Sequence, residues 1–448
     1  MSQIPRTKEK TISDVIIVGA GFSGLSVAYE LAKNGKRVHL IEASGQIGGL
    51  GGIFEFSDGS TVDKFYHHWF NNDLHVISLI EELGLEKKVF FKASTTGMYF
   101  NKRLWKLSSP LDLLRFGALS FFDRIRLGLV VLWIRRITNW RQIEHLTIEE
   151  WLKPLCGSAV YEIVWAPLVK AKFSNYADKI GAVWMWKKLA LRGSTRSKAG
   201  SEKLAYFEGG FAQLAEAIRD FVISKGGIVE IGNEVLGVRS NGNSISCILT
   251  NNGERFAEQF VFTPALPIVN QILVSALPIA YANSLREIEY LGNICLVLKL
   301  DRPLSDTYWL NVNDPGFPFV GIIEHTNLDD AANYNDNRIV YLSRYINTTD
   351  QAWTFSDEEY FEMALHYVKK MFPEFCENWI VDYAIWRAKY AQPITGCNYS
   401  DLVPDYRMPI NNCFLCTMAQ IYPEDRGTNY AIREGRKVAQ IILEEQPA

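Results

Sequence analysis

The sequence predicts an α/β fold, α+β when the whole chain is counted, on three observations. Residues 14–25 read DVIIVGAGFSGL, a β-branched run entering a glycine turn and then an apolar helical pattern. Residues 37–42, RVHLIE, follow as a second strand. The same strand-and-helix texture returns near residue 207 and again near residue 413, after stretches of different character. One domain is therefore expected from three separated pieces of chain, with a second, mixed domain interleaved between them.

Taken in order, residues 15–19 form the first strand, and Leu25, Ala28, Tyr29 and Ala32 recur at helical spacing until Gly35 stops the helix. Strand, helix, strand in this order implies parallel pairing with a right-handed crossover. Residues 100–203 change to long helices rich in Trp, Leu and Arg. Beyond Gly209-Gly210, the residues Phe211, Leu214, Ile218 and Phe221 share one helical face. A strand at 228–232 follows, then a hairpin pair at 235–240 and 244–251 turning at Asn241-Gly242-Asn243, and a strand at 260–263. Strands are expected at 295–300, 339–345 and 413–417, and helices at 357–371 and 430–445. No internal repeat or low-complexity tract is visible.

Composition narrows the class. The chain has 448 residues, 48% of them hydrophobic and 13% aromatic, enough for two or three cores. The first ten residues are polar and lack the apolar stretch of a signal peptide. No apolar run approaches the roughly 18–20 residues of a spanning helix. Seven cysteines, odd in number and scattered, suit a reducing compartment and a cytoplasmic chain. Cys413 and Cys416 have redox or zinc spacing, but no second pair lies nearby, so two buried core thiols are expected. The seven histidines show no metal-ligand spacing, and no metal site is expected. The net charge of −3 hides an imbalance, since residues 102–203 carry about +11 and the remainder about −14. Such a field attracts anionic lipid or a phosphate-bearing substrate, or is simply a solvated basic face. No nucleic-acid fold or aromatic–basic pattern accompanies it, which argues against nucleic acid.

The glycine turn carries the chemistry. In Gly19-Ala-Gly21-Phe22-Ser23-Gly24 the first glycine allows the tight turn, the second admits a pyrophosphate close to backbone, and the third lets helix and strand pack. The helix N-terminus offers free N–H groups and its positive dipole end to phosphate. Glu42 closes the second strand 23 residues after Gly19, where an acid accepting ribose hydroxyl hydrogen bonds is expected. Ala43 follows it, and a second glycine pair, Gly48-Gly49-Leu50, lets backbone wrap a long cofactor again.

These residues resemble the opening of the flavoprotein families that include monoamine oxidases, protoporphyrinogen oxidase, phytoene desaturase and UDP-galactopyranose mutase. The resemblance covers essentially the whole chain. Leu50 stands where the families usually carry Arg, so a phosphate contact from that position is missing. Residues 207–214, FEGGFAQL, resemble the start of the middle cofactor segment, and Val235 the valine whose backbone meets the adenine. Residues 421–431, IYPEDRGTNYA, resemble the motif that closes over the flavin, which implicates Glu424, Gly427, Thr428 and Asn429. The nearest texture is that of bacterial protoporphyrinogen-oxidase-like oxidoreductases, through residues 63–70, 96–99 and 165–173. The resemblance implies FAD as cofactor and a Rossmann-type domain of the glutathione-reductase-like kind. It places that domain at 1–90, 205–265 and 385–448, and the substrate domain at 91–204 and 266–384.

The implied function is FAD-dependent oxidation of a C–C or C–N single bond of an apolar or anionic small molecule, lipophilic or phosphorylated. FAD supplies the hard chemistry, so no obligatory acid–base pair is demanded of the protein. Two side chains are candidates for catalysis. His68, beside His67, fits a segment that runs near the flavin in mutase-like relatives, as a proton shuttle or as a structural histidine. Arg344, on an otherwise apolar strand pattern, needs a partner, either a substrate anion or an internal acid. Residues 111–136 are amphipathic with arginines spaced along them, so the stretch 105–140 suits a membrane-facing surface or a helix packed on the substrate domain. Two other functions stay open, a flavin-dependent sugar-nucleotide mutase and a non-catalytic flavoprotein scaffold.

Overall fold

The structure is a computed structural model and describes residues 13–194 and 202–445. Its centre on the cofactor side is a five-stranded sheet in the order Ile228–Glu230, Val38–Ile41, Ser13–Val18, Ala257–Phe262, Cys413–Leu415. Every pairing in it is parallel. The strands come from all three separated segments, so chain far apart in sequence builds one layer.

Parallel sheets are covered on both faces, and alternation along Ser13–Val18 divides the cover. Val15 and Ile17 face the helices Phe22–Lys33, Phe211–Ser224 and Thr428–Glu444. Ile16 and Val18 face the other way, toward the antiparallel meander Val235–Asn241, Ser244–Thr250, Gly253–Arg255. The helices Leu266–Ile272 and Ile279–Arg286 complete this second core, so residues 266–286 pack under the parallel sheet.

The other half rests on a seven-stranded sheet in the order Ile380–Pro393, Tyr290–Leu300, Arg338–Ile346, Gly321–Glu324, Trp309–Val312, Thr96–Phe100, Arg103–Lys106. Its pairings are antiparallel except the one between Trp309–Val312 and Thr96–Phe100. One face, with Leu296, Leu298, Val340 and Leu342, packs on helix Asp357–Met371. That helix starts at a capping box between Ser356 and Glu359, as the sequence pattern S-x-x-E dictates. The opposite face carries Cys295, Val297 and Tyr341 and joins the cofactor-side core.

Residues 110–194 form a helical subdomain around Leu152, Val160, Phe173 and Trp184. The amphipathic stretch 111–136 is two helices, Pro110–Arg115 and Phe121–Ile134, because each has its own serine cap, Ser109 and Ser120. The second buries only Leu127 and Ile134. No helix among the described residues is long and apolar enough to cross a membrane.

Candidate flavin and substrate site

Local chemistry fixes the glycine turn. Gly19 sits at φ +97, a left-handed conformation that glycine alone adopts without cost, and Thr263 packs where its Cβ would be. A Cβ on Gly24 would lie 2.0 Å from the Gly19 carbonyl oxygen, so the third glycine is required by the protein itself. A Cβ on Gly21 would meet nothing within 4 Å. The second glycine therefore borders open space, which is what close approach of a pyrophosphate needs. Phe22 is buried against Phe211 and fixes the start of the helix. Ser23, half-buried, adjoins the Cys416 thiol.

The second glycine loop braces the first. Gly21 and Gly48 form a parallel bridge, and the Gly48 N–H donates to the Ala20 carbonyl at 2.8 Å. Gly49 opens the short helical turn Gly49–Gly51, with Leu50 part-exposed. One Glu42 oxygen accepts the Ala20 N–H at 2.7 Å and the other the Ser44 N–H at 2.9 Å, so the carboxylate is oriented before any ligand arrives. Ala43 is exposed beside it. The middle segment meets this strand end directly, since Asn233 N–H donates to the Glu42 carbonyl and Gly232 N–H to the Ser44 carbonyl. Val235, buried, begins two residues later.

The last segment closes the site from the other side. Ser26 Oγ donates to the Ile432 carbonyl at 2.9 Å, tying the first helix to the last. Gly427 is exposed and Thr428 half-buried at the start of the last helix. The Asn429 Oδ1 accepts the N–H groups of His75 and Val76 and so caps helix Leu74–Glu82. Glu424 is held between Lys187 and Arg433, each at 3.0 Å. These two cations keep its carboxyl below the usual range, against burial that would raise it.

Where the seven-stranded sheet meets this frame, strand alternation selects the lining. Ser343 and Tyr345 lie on the face toward the cofactor side, opposite Cys295 and Asn293 of the neighbouring strand. Trp386 joins them from the next strand, with the Lys64 ammonium 4.4 Å from its ring centre. Tyr66 packs edge-on to Trp309 and Tyr341. His67 is only half-covered by protein surface, yet burial, then Arg426, push its imidazole down to about 4. His67 Nδ1 has no hydrogen-bond partner there.

For His68 and Arg344 the structure shows the internal partners left open as alternatives. His68 Nδ1 lies 2.9 Å from the Tyr308 hydroxyl, and its ring sits edge-on to Phe70, Tyr308 and Trp309. His67 lies within the field of Arg426. Arg344 is not brought to these residues. Lying between Ser343 and Tyr345, it faces the reverse side of the sheet, beside Tyr360 and 4.0 Å from Asp350. Tyr345, Arg426 and Lys172 were missed in the sequence. The one available signal was strand parity, which puts Tyr341, Ser343 and Tyr345 on a common face.

The sequence matches the profile described as flavin containing amine oxidoreductase over residues 22–443. The chain belongs to this family. The family is flavin-containing, and the open space at Gly21 beside an oriented Glu42 fits FAD as the cofactor. The chain is 24% identical over 316 residues to 15-cis-phytoene desaturase of Glycine max, covering 66% of this chain and 55% of that protein. It is 24% identical over 293 residues to amine oxidase [flavin-containing] B of Sus scrofa, covering 59% of this chain and 55% of that one. This chain thus spans about 55% of each of these relatives. A crystal structure of reduced UDP-galactopyranose mutase superposes with a TM-score of 0.74 at 14% identity, covering 97% of this chain and 94% of that one. At that identity the likeness shows the fold.

Proposed function

We propose that this flavoenzyme oxidises a C–C or C–N single bond of an apolar or anionic small molecule. FAD, when bound, supplies the hydride acceptor. The chain's part is to hold the donor carbon and exclude water. The observation that supports this best is the aromatic cluster of Tyr66, Trp309 and Tyr341 beside His67, whose imidazole burial lowers to about 4. Such surroundings favour hydride transfer, which needs orientation and dryness more than an ionised acid–base pair. Residues 1–90, 205–265 and 385–448 are assigned to FAD and 91–204 and 266–384 to substrate. The parallel sheet with its inserted meander supports a cofactor domain of the glutathione-reductase-like kind. Anaerobic mixing with candidate amines, carotenoid precursors and porphyrinogens tests the proposal. Bleaching of the oxidised flavin by one of them is the expected result, and full turnover only after dithionite, with no net electron transfer, would identify an isomerase instead.

The same proposal includes a membrane-peripheral location. Phe121, Phe122, Ile125, Leu129, Leu132 and Trp133 are exposed on one short helix, Phe122 at 83%. Arg103, Lys106, Arg115 and Arg136, near this helix in sequence, are exposed too. Contiguous apolar surface with basic residues near it in sequence suits the headgroup layer of an anionic bilayer, from which a lipophilic substrate could be delivered.

A further inference from the structure

The junction between the two halves holds more positive charge than its acids offset. Lys172 ends helix Ala166–Phe173, and its ammonium stands 3.9 Å from the centre of the Tyr345 ring. Arg426, the residue before Gly427, donates to the Tyr345 hydroxyl at 2.7 Å and to Gln392 Oε1 at 3.1 Å. Lys188 completes the group and is paired with Asp425 at 3.1 Å. Asp425 is held well below the carboxylate range by Lys188, Lys172 and Arg426, which overcome its burial. Among the described residues, neither Lys172 nor Arg426 has a carboxylate within ion-pair distance. Two cations converging on a buried phenol, with the nearest acid already committed to a third, are an unfavourable arrangement unless an anion joins them.

We propose that Lys172 and Arg426, meeting at Tyr345, receive an oxyanion carried by the substrate, a carboxylate or a phosphate. This deepens the proposed function and rests on it for the identity of the anion's carrier. The position is apt, because Arg426 belongs to the loop entering helix Thr428–Glu444, and Tyr345 lies on the sheet face turned to the cofactor side. A molecule anchored there by one charged end would lie beside Tyr66, which adjoins Tyr345. The guanidinium offers a planar fork to the oxyanion and the ammonium a point charge. The charge balance appears in the phenol as well. Burial would raise Tyr345, yet Arg426 and Lys172 bring it down to about 8 from an ordinary 10.0, with Asp425 opposing them. Tyr66, packed on it, is pushed well above its ordinary range by burial and by Tyr345.

The test follows from that coupling. FAD-loaded protein carrying ring-labelled tyrosine is titrated by NMR at constant ionic strength, with and without inorganic phosphate or acetate, and Tyr345→Phe identifies the signal. An anion seated between the cations offsets their field, so the Tyr345 titration moves to higher pH, and the more effective probe tells phosphate from carboxylate. Lys172→Met and Arg426→Met should each weaken the response about tenfold or more, the scale of one lost charged hydrogen bond. Lys172, half-exposed at a helix end, gives a usable variant even if the Arg426 change disturbs folding. A Tyr345 signal unmoved by either anion overturns the site, and so does a response that survives Lys172→Met undiminished. Flavin bleaching is read separately. An anion response with no substrate that bleaches the flavin keeps the site and removes the oxidoreductase proposal; bleaching without the response does the reverse.

Discussion

A Cβ added to Gly435 would stand 2.6 Å from the Cβ of Ser26 and 2.7 Å from the Ser23 carbonyl oxygen. The first and last helices of the chain therefore meet at backbone distance. Gly435→Ala should cost about 1–3 kcal/mol through overpacking and lower the melting temperature, with weaker retention of FAD. Gly427→Ala is the control, since its Cβ would meet nothing nearer than Tyr430 at 4.0 Å in extended backbone. Thermal unfolding of both variants checks the contrast, and equal losses would refute it.

The glycine turn separates folding from binding. Gly21→Ala should fold normally, as φ −72 suits alanine and no protein atom lies within 4 Å of the new Cβ, while FAD affinity collapses. Gly24→Ala should fail to fold, because its Cβ would overlap the Gly19 carbonyl at 2.0 Å. Circular dichroism beside flavin titration distinguishes the two. An unstable apoprotein in the Gly21 variant would show that the space there is not reserved for the cofactor.

Glu42→Ala removes the acceptor of two backbone N–H groups along with the acid facing the ribose position. The expected loss is roughly 1.5–3 kcal/mol of FAD binding, tenfold to a hundredfold in the dissociation constant. Isothermal titration of apoprotein with FAD measures it, and unchanged affinity would move the ribose contact elsewhere.

Asp63 gives the pH dependence. Burial pushes its carboxyl up to about 7, aided by Asp329, although the Tyr206 hydroxyl and the Phe211 N–H both donate to it. A carboxyl raised on folding contributes stability that is complete below its ordinary value of 3.8 and is lost as pH climbs through about 7. Asp63→Asn removes this penalty, so the fall in stability between pH 5 and pH 8 should shrink by roughly 1–3 kcal/mol. Denaturant melts at the two pH values decide it; an unaltered fall would place the titration at Glu324, whose carboxyl burial also lifts to about 7.

Phe121→Ser together with Phe122→Ser should abolish binding to vesicles of anionic lipid while leaving stability unchanged. Both side chains are exposed, and each would contribute up to about 1.5–3 kcal/mol on burial in a bilayer. Co-sedimentation with anionic and neutral vesicles reads the effect. Binding that persists in the double variant would remove the membrane from the account.

What the sequence made legible was local. The glycine turn, Glu42 and helix Asp357–Met371 each depend on residues a few positions apart, and each appears where its pattern predicts. Strand existence was equally plain for Arg338–Ile346, but the face was not. One residue's shift in parity separates Arg344, beside Asp350, from Tyr345, beside Arg426. The histidine pair behaves alike, with His68 bonded to Tyr308 and His67 packed on Phe211. Asn429 was read through its motif as a flavin contact, and its side-chain oxygen also serves a helix from residues 74–82 that no local pattern connects to it. The cluster at Tyr345 draws on residues 172, 345 and 426, and nothing short of the folded chain brings them together.

The strand Cys413–Leu415 forms the edge of a sheet whose centre is Ser13–Val18. Every residue through Leu415 must therefore leave the ribosome before that sheet has its last member. Until then the nascent chain exposes the edge of Ala257–Phe262 as an unpaired template, open to pairing with other chains.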